Sequence, residues 1–473
     1  MKDMAAGHVT KYVVWCIIYR SREGVGKFMG NKERALVLGM ARSGYEAAKL
    51  LAKKDLSVVI NDAKTEQNPD RIRELEGLGV EVILGRHPED LLDRHFDIMV
   101  KNPGIPNNHP YVDKALRLGV PVINEMELAF RYFPSGVTII GVTGTNGKTT
   151  TATLISEMLK KASKPAHLMG NIGFPVCSFV PLLKGGDIAV MEVSDHQLCN
   201  VIEFKTHISV MTNLSEAHID FHGSYETYKS MKKRIFNHHT EKDIAVLNLD
   251  DGEVLDLARD AKSIKRYFSS SPMSGPGCCI ADRAVYYNDE KIMPLSDVKI
   301  KGRHNYENVM AAITAVKELG VGNEPIADVL KSFGGVEHRL EYVRTINQVD
   351  FYNDSKSTNV KSTQTALSSF DRPTILLLGG LDRGHSFDGL KEYLKWVKLI
   401  VAFGETKERI GKFASEQGIP CTVVDSLDDA VILAYESSSP GDVVLLSPAC
   451  ASWDQYESFK MRGNRFKECV SAL

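Results

Sequence analysis

The residues most able to do chemistry lie in one stretch, Val137 to Thr151, which reads V-T-I-I-G-V-T-G-T-N-G-K-T-T-T. A β-branched apolar run is followed by a glycine-rich loop and then by a helical pattern. A strand, a loop and a helix in that order point backbone N–H groups and a helix N-terminus at one position, which suits a phosphate group. Val142 stands where the strict pattern G-x-x-x-x-G-K-[ST] has its first glycine, so the loop is a variant. An ordinary glycine-rich turn does not need Lys148 and Thr149 at its end, and we predict a nucleoside triphosphate site.

Each part of this loop has an expected role. Lys148 is expected at the outer phosphates, and Thr149 or Thr150 at a Mg²⁺ ion. The backbone around the phosphates is expected to be that of Gly144, Thr145, Asn146 and Gly147.

Further candidates follow the loop, at or near the ends of predicted strands. Glu192 closes an apolar strand, His218 follows the segment T-N-L-S-E-A, and Lys232 lies on a predicted helix. A carboxylate at a strand end beside a phosphate loop suits Mg²⁺, which binds few protein oxygens in addition to substrate phosphates. Glu192 alone could equally be a solvated strand end, and His218 alone a surface or core histidine.

Two polar elbows occur near the C-terminus. They are F-Y-N-D-S-K-S-T-N (351–359) and L-S-P-A-C-A-S-W-D-Q-Y (446–456), and each follows an apolar run. Either one could be a mere turn. Two of them in one small domain favour a site that reads a small polar substrate.

The elements that must position these residues are short apolar strands alternating with helical spacers, from Arg34 onward. This alternation predicts an α/β fold of parallel, doubly wound sheets that bind ligands at the strand C-termini. We predict an N-terminal Rossmann-like domain over 31–126, a central P-loop ATPase-type domain over 127–335 and a C-terminal Rossmann-like domain over 336–473. The stretch from about Ile264 to Ile300 is irregular and predicts a small antiparallel region or a long excursion.

The first of these domains carries only a weak nucleotide signal. The loop at Gly39 lacks the full G-x-G-x-x-G pattern. Asp62 lies roughly twenty residues further on, where an acid can bind a ribose hydroxyl. A nucleotide-sugar site is therefore as plausible here as an NAD site.

The composition argues against several classes of protein and of binding site. The 473 residues include 58 Lys and Arg against 60 Asp and Glu, so no basic footprint for nucleic acid is present. Eight cysteines without C-x-x-C pairs favour reduced thiols and give no support to a zinc site. No apolar run reaches the ~20 residues of a membrane span. We expect residues 1–30 to be a disordered extension, one explanation being an upstream start codon with Met29 as the functional start.

Eight motifs follow one another along the chain: G-T-N-G-K-T-T, G-N-I-G (170–173), E-V-S (192–194), A-H-I-D (217–220), H-N-Y-E-N (304–308), E-H-R-L-E (337–341), N-D-S-K-S-T-N (353–359) and S-P-A-C-A-S-W-D-Q (447–455). In this order they resemble the Mur ligases, the ATP-dependent amide ligases of peptidoglycan precursor synthesis. The similarity extends from about Arg34 to the C-terminus. The last two motifs most resemble the members that add D-glutamate to UDP-N-acetylmuramoyl-L-alanine.

The resemblance implies one domain for the UDP-sugar, a central ATPase and a C-terminal domain that closes over ATP and the amino acid. It implies ATP and two Mg²⁺ sites, with metal ligands at Thr149, Glu192, His218 and Lys232, the last matching a lysine that is carbamylated in the family. Implied catalytic residues are Lys148, Glu192, His218 and Lys232. Implied ATP contacts beyond the loop are Asn308, Arg339 and Asp354. Expected substrate contacts are Ser43, Asp62, Asn102, Gly104, Asn171, Ser194, Lys356, Thr358, Ser452 and Phe459. We expect a cytoplasmic monomer that binds neither nucleic acid nor a membrane.

The chain departs from the family pattern in two places. The familiar E-[LV]-S-S-F-Q-L reads E-V-S-D-H-Q-L, so Asp195 and His196 replace a serine and an aromatic residue beside the metal site. Their roles stay open. In G-G-L-D-R-G (379–384), the lysine with which some members reach the D-glutamate side chain is not evident, and Arg383 is the candidate to replace it, with a different geometry.

Three other functions compete with this interpretation. A folylpolyglutamate-type or sibling ligase is the nearest, but the folate enzymes place the phosphate loop near the N-terminus, whereas an α/β domain precedes it here. A P-loop switch or binding protein does not need the two polar elbows. An NAD-dependent oxidoreductase leaves Lys148 unexplained.

Overall fold

The computed structural model describes residues 33–473, so the prediction made for residues 1–30 lies outside the described part of the chain. The described chain forms two units. One contains the residues up to Leu295 together with Glu307–Ala327, and the other contains Ser296–Tyr306 and Asp328–Leu473.

The first sheet of the first unit has five parallel strands in the order β3-β2-β1-β4-β5. The strands are β1 (Arg34–Leu38), β2 (Ser57–Asp62), β3 (Glu81–Leu84), β4 (Ile98–Lys101) and β5 (Val122–Ile123), and the helices are α1 (Arg42–Lys53), α2 (Pro69–Gly77) and α3 (Pro110–Arg117). Leu36 and Val37 are fully buried in different apolar clusters, so both faces of β1 are covered. This explains the continuous apolar run of β1, which is typical of a central parallel strand. The order reverses at β1, and the adjacent C-terminal ends of β1 and β4 form a switch point where ligands bind in such sheets.

The second sheet of this unit has nine strands in the order β14-β13-β12-β11-β10-β9-β6-β8-β7. Its strands are β6 (Thr138–Thr143), β7 (Ala166–Gly170), β8 (Ile188–Glu192), β9 (Ile208–Met211), β10 (Ile244–Asn248), β11 (Ile264–Ser269), β12 (Gly277–Ala281), β13 (Ala284–Tyr287) and β14 (Glu290–Pro294). The helices of this stretch are α4 (Glu125–Arg131), α5 (Lys148–Lys161), α6 (Asp195–Leu198), α7 (Ile219–His222), α8 (Tyr225–Lys233), α9 (Gly252–Leu257), α10 (Arg303–Lys317) and α11 (Asn323–Ser332).

Strands β6 to β12 of this sheet pair in parallel, whereas β13 pairs antiparallel with both β12 and β14. The antiparallel region expected after Ile264 is therefore confirmed for β12 to β14, whereas β11 continues the parallel part. Leu154, Ile155, Met158 and Leu159 of α5 are fully buried on one face, as their spacing predicts. Because β6 runs parallel to its neighbours β8 and β9, the loop after β6 lies at the carboxyl edge of the sheet.

The sheet of the second unit has six strands in the order β15-β16-β20-β17-β18-β19. They are β15 (Glu341–Ile346), β16 (Val349–Asn353), β17 (Thr374–Gly379), β18 (Val397–Phe403), β19 (Cys421–Val423) and β20 (Val443–Leu446), with helices α12 (Val360–Leu367), α13 (Lys407–Glu416), α14 (Leu427–Glu436) and α15 (Phe459–Ala472). Only β15 and β16 pair antiparallel. They join through Asn347 and Gln348, both with positive φ (48° and 64°), the backbone of a tight hairpin turn. The edge strand β15 was not predicted from the sequence, because its residues form no apolar run. In the structure these residues are either partly buried or exposed.

The three-domain α/β fold class is confirmed, since each sheet lies inside one of the three sequence ranges. The domain boundaries themselves remain predictions. Short 3₁₀ helices occur at Leu91–Arg94, Val176–Ser178, Arg234–Phe236, Leu295–Asp297 and Asp388–Tyr393. Within residues 33–473, no helix has the length and apolar character required to span a membrane.

Candidate active site

The glycine-rich loop connects the end of β6 to the start of α5 and permits no side chain at two positions. Gly144 and Gly147 have positive φ values of 139° and 82°. A Cβ on Gly144 would lie 2.0 Å from Oγ1 of Thr212, and one on Gly147 would lie 2.0 Å from Oδ1 of Asn308. Glycine is therefore required by the backbone and by the close neighbours of the loop. The loop leaves the N-terminus of α5 available to a phosphate, in line with its residue pattern.

Lys148 begins α5 and folds back over this loop. Its Nζ donates to the carbonyl oxygens of Gly144 at 2.9 Å and Thr145 at 2.8 Å. On the other side, the backbone N–H of Thr145 donates to the carbonyl oxygen of Asn213, and that of Asn146 to the Asn213 side chain, both at 2.9 Å. The ammonium group therefore lies above an anchored loop, where it can neutralise phosphate charge.

Thr149 and Glu192 form the oxygen pair best suited to magnesium. Glu192 is the last residue of β8 and is 3% exposed. Its Oε2 accepts from Oγ1 of Thr149 at 2.7 Å, and its Oε1 accepts from Nδ2 of Asn171 at 2.8 Å. A carboxylate and a hydroxyl beside a phosphate loop are the hard oxygen donors that Mg²⁺ takes. The chemistry of these residues therefore fits a magnesium ion.

Lys232 lies in the last turn of α8, fully buried, and reaches the same loop. Its Nζ donates to the carbonyl oxygen of Gly144 at 2.8 Å and lies 3.6 Å from Oδ1 of Asp195. Burial, reinforced by the charge of Lys148, lowers the pKa of Lys232 to about 7. The structure thus places Lys232 beside the loop, although an unmodified ammonium cannot bind a metal ion.

Asn308 of α10 and Thr150 of α5 complete the set of nucleotide candidates in this unit. Oδ1 of Asn308 accepts from Oγ1 of Thr151 at 3.3 Å and touches Gly147. The structure places this amide against the loop, and its predicted contact with adenine stays a prediction. Thr150 is buried, with 9% of its surface exposed.

A cavity of about 580 Å³ connects the switch point of the first sheet to the phosphate loop. The predicted residues that line it are Ser43, Asn102, Gly104, Lys148, Asn171, Ser194 and His218. Asn102 orders the rim, because its Nδ2 donates to Oγ of Ser43 at 2.9 Å and its Oδ1 accepts from the N–H of Gly104 at 3.0 Å. The cavity thus brings together residues that the sequence analysis assigned to two different ligands.

Asp62 does not line this cavity. Its Oδ2 accepts from the backbone N–H of Met40 at 2.6 Å, and its Oδ1 accepts from that of Lys64 at 2.9 Å. In this structure Asp62 fixes the loop after β1, and its predicted contact with a ribose remains untested. Arg42, the first residue of α1, also lines the cavity and was not predicted from the sequence.

Asp195 binds two histidines, which the sequence did not predict. Ser194 caps α6 through its hydrogen bond from Gln197, and Asp195 is the next residue. Oδ2 of Asp195 lies 3.0 Å from Nδ1 of His196 and 2.7 Å from Nε2 of His222. Burial alone would raise the pKa of Asp195, but the hydrogen bonds from both histidines and the charge of Lys232 hold it well below its usual value. No spacing rule connects residues 195–196 with 222, so only the fold reveals this cluster.

The two polar elbows of the second unit meet around Asp354. Oδ2 of Asp354 accepts from Oγ of Ser447 at 2.7 Å, and Oδ1 accepts from the N–H of Leu340 at 3.1 Å. Burial raises the pKa of Asp354 to about 6. The structure therefore brings the two elbows into contact with each other, and the exposed Arg339 is next in sequence to Leu340; that they form a substrate site stays a prediction.

A buried arginine holds these elbows in place. Nη2 of Arg462 donates to the carbonyl oxygens of Ser355 and Cys450, each at 3.0 Å. Ser355 in turn donates from Oγ to the carbonyl oxygen of Phe459 at 2.8 Å. Burial lowers the pKa of Arg462 to about 10. A lone arginine in a helix carries no distinguishing pattern, so Arg462 could not be predicted from the sequence.

The remaining candidates of this unit lie on the same elbows. The N–H of Lys356 donates to the carbonyl oxygen of His338 at 2.9 Å, and that of Thr358 to the carbonyl oxygen of Lys356 at 2.9 Å. Ser452 is 1% exposed, and its Oγ has no hydrogen-bond partner among the described residues. A buried hydroxyl without a hydrogen-bond partner is suited to form a hydrogen bond with a polar atom of a ligand.

Comparison with known families agrees with this architecture. The N-terminal domain model of MurD-like Mur ligases matches residues 33–124, the Mur ligase middle domain matches 142–316, and the Mur ligase glutamate ligase domain matches 338–450. Two similar proteins are named UDP-N-acetylmuramoylalanine–D-glutamate ligase. The one from Geobacillus kaustophilus is 47% identical over 442 residues, and the one from Bacillus mycoides is 46% identical over 442 residues. Each alignment covers 93% of this chain and 98% of the relative.

Solved structures of low sequence identity share the fold. The UDP-N-acetylmuramate–alanine ligase MurC from Thermotoga maritima aligns with a TM-score of 0.57 at 19% identity, over 93% of this chain and 100% of that one. A pseudomurein peptide ligase type C from Methanothermus fervidus gives 0.53 at 17% identity, with the same coverage. Three domain models in the family's order and relatives of nearly equal length leave one conclusion. This chain belongs to the Mur ligase family, and relatives 46–47% identical to it are named UDP-N-acetylmuramoylalanine–D-glutamate ligase.

Proposed function

We propose that the protein is an ATP-dependent ligase that adds D-glutamate to UDP-N-acetylmuramoyl-L-alanine in peptidoglycan precursor synthesis. The relatives named for this activity align over 98% of their length at 46–47% identity. The observation that carries the proposal is the cavity, because it joins Ser43 and Asn102 of the switch point to Lys148 of the phosphate loop. A sugar nucleotide bound at the first sheet can direct its carboxylate toward the γ-phosphate of ATP.

The reaction follows from the poor reactivity of a carboxylate. An oxygen of the L-alanyl carboxylate attacks the γ-phosphorus of ATP, the bond to the β-phosphate oxygen breaks, and ADP leaves. The amine nitrogen of D-glutamate then attacks the carbonyl carbon of the acyl phosphate. The tetrahedral intermediate expels inorganic phosphate, and the nitrogen loses a proton to give the amide.

The residues of the loop contribute position and charge. Lys148 and the N–H groups at the start of α5 stabilise the transferred phosphoryl group, since such reactions are catalysed mainly by positioning and electrostatics. Thr149 and Glu192 would hold magnesium, which would neutralise phosphate charge. Asn171 orients Glu192 through its 2.8 Å hydrogen bond.

The second unit supplies the contacts of the amino acid and part of the nucleotide. D-Glutamate carries two carboxylates, which suit the ammonium of Lys356, the hydroxyls of Thr358 and Ser452, and the backbone at Phe459. Ser452 supports this assignment because its buried Oγ has no hydrogen-bond partner within residues 33–473. Arg339 and Asp354 are proposed at the phosphate and the ribose of ATP.

Lys232 is proposed to be carbamylated and, with Glu192 and His218, to hold a second magnesium ion. Only a neutral amine attacks carbon dioxide, and burial lowers the pKa of Lys232 to about 7, which makes a large neutral fraction available. The new carboxylate replaces a buried positive charge by a negative one. We expect a carbamate ¹³C signal after incubation with labelled bicarbonate, stronger above pH 7 than below it, and lost in Lys232→Arg. An unchanged signal in that variant would place the carbamate elsewhere.

We also propose that the protein is a cytoplasmic monomer.

The main test is the release of phosphate by the purified protein with ATP, Mg²⁺ and UDP-N-acetylmuramoyl-L-alanine across a panel of amino acids. We expect release with D-glutamate only. Release with L-lysine or diaminopimelate would refute the D-glutamate assignment and keep a ligase. Lys148→Met should lower the rate by at least about 100-fold, as the loss of a charge-stabilising group does. Lys160→Met, an exposed lysine of the same helix paired with Glu157, is the matched control and should leave the rate unchanged.

A further inference from the structure

We propose that Asp195, His196 and His222 bind a divalent transition-metal ion of the zinc class, at a site that shares no residue with the magnesium ligands. Nothing in the ligase chemistry described above uses these three side chains. In residues 33–473 they are the one group of three metal-ligating side chains whose ligand atoms all lie within 4.8 Å of one another.

The distances fit a small ion. Oδ2 of Asp195 lies 2.7 Å from Nε2 of His222 and 3.0 Å from Nδ1 of His196. Bonds of about 2.1 Å in a tetrahedron separate ligand atoms by about 3.4 Å. The two Asp195–histidine separations therefore need to widen by less than about 1 Å to enclose zinc, and the ligand nitrogens of the two histidines lie within 4.8 Å of each other.

The fold holds the cluster in a fixed geometry. The side chains of Asp195 and His222 are 4% and 2% exposed, so solvent barely competes for them. Asp195 starts α6, which is fixed by the capping hydrogen bonds of Ser194 and Gln197, and His222 ends α7. Two buried ligands from different helices are thus preorganised before an ion arrives.

The third ligand provides access and an open position. The His196 side chain is 22% exposed, and both His196 and Asp195 line the 580 Å³ cavity. An ion bound by three protein atoms keeps its fourth position for water or for a substrate oxygen, as open zinc sites do. The cavity supplies both the entry path and the space for that fourth ligand.

The donor types distinguish this ion from magnesium. Two imidazole nitrogens and one carboxylate suit zinc and its neighbours in the transition series, whereas Mg²⁺ prefers oxygen atoms. The two oxygens of Asp195 face different partners, since Lys232 approaches Oδ1 at 3.6 Å and the histidines approach Oδ2. An ion on the Oδ2 side therefore does not need the position of the Lys232 side chain.

The test is a titration of the full-length, tag-free protein with Co²⁺, which takes the ligands of zinc and has visible absorption bands, in excess Mg²⁺. We expect one equivalent to bind and to be displaced by Zn²⁺. Asp195→Ser and His196→Phe restore the residues of the family pattern, so both should fold, as thermal unfolding will verify. Each should weaken Co²⁺ binding by at least about 100-fold, because even losing an outer partner of a ligating histidine costs about 10–100-fold.

Two controls make the result specific. His167→Phe removes a histidine that lies 3.2 Å from Asp187 without a third ligand in the described chain, and it should leave the Co²⁺ signal unchanged. Glu192→Gln removes a proposed magnesium ligand and should also keep the Co²⁺ signal, even where ligase activity is lost. Unaltered Co²⁺ affinity in folded Asp195→Ser and His196→Phe would overturn the proposal. So would the absence of a one-equivalent site in the wild type, or loss of the signal in Glu192→Gln, which would assign the ion to the magnesium position.

Discussion

The requirement for glycine at position 147 can be tested by Gly147→Ala against Gly79→Ala. The two glycines have nearly the same φ, 82° and 79°, but a Cβ on Gly79 meets nothing within 4 Å, whereas one on Gly147 lies 2.0 Å from Oδ1 of Asn308. A left-handed backbone costs a non-glycine residue about 1–2 kcal/mol, and this cost is common to both variants. Only Gly147→Ala must also displace Asn308.

The displacement has a calculable effect. Moving Asn308 breaks the 3.3 Å hydrogen bond from Thr151, which contributes about 0.5–1.5 kcal/mol to stability. We therefore expect the unfolding free energy of Gly147→Ala to fall by about 1 kcal/mol more than that of Gly79→Ala. The loop should also lose its shape, so the KM for ATP should rise by at least about 10-fold, which corresponds to about 1.4 kcal/mol.

A double-mutant cycle isolates the contact. In an Asn308→Ala background the obstructing atom is gone. Gly147→Ala should then lower the unfolding free energy only by the cost of placing an alanine in a left-handed backbone conformation. Urea unfolding gives the stability and phosphate release gives the KM. Equal costs of Gly147→Ala in both backgrounds, or an unchanged KM for ATP, would refute the reasoning that this close approach shapes the nucleotide site.

Two further predictions concern charged groups. Glu192→Gln should lower the rate of phosphate release by at least about 100-fold, because it removes the charge of the proposed magnesium ligand. The exposed control Glu157→Gln should leave the rate unchanged. Comparable rates for the two variants would contradict the assignment of Glu192. Asp354 has a pKa raised from 3.8 to about 6, so the folded state holds its proton more tightly than the unfolded state, and wild-type stability should decline as the pH rises from about 4 to 6. Relative to Asp354→Asn, this loss should be of the order of 3 kcal/mol in urea unfolding, and a pH-independent difference between the two proteins would refute the burial of the charge.

The sequence by itself determined the local parts of this protein. The run from β6 into α5 could be read directly, because a β-branched strand, positive-φ glycines and a helical apolar face each leave a mark within a few residues. The parallel sheets followed from the alternation of apolar strands with helices. The edge strand β15 was not predicted, because its sequence, E-Y-V-R-T-I, contains no continuous apolar run.

The tertiary structure alone decided which distant residues meet. Asn308 reaches Thr151 across 157 positions, and Lys232 reaches Gly144 across 88. Local periodicity specifies the face of an element that is buried, but not the element that it packs against. The cluster of Asp195, His196 and His222 and the buried Arg462 arise from such packing. These groups could not be predicted from the sequence, because only the folded chain excludes water from them and places their charged and polar atoms within hydrogen-bond distance.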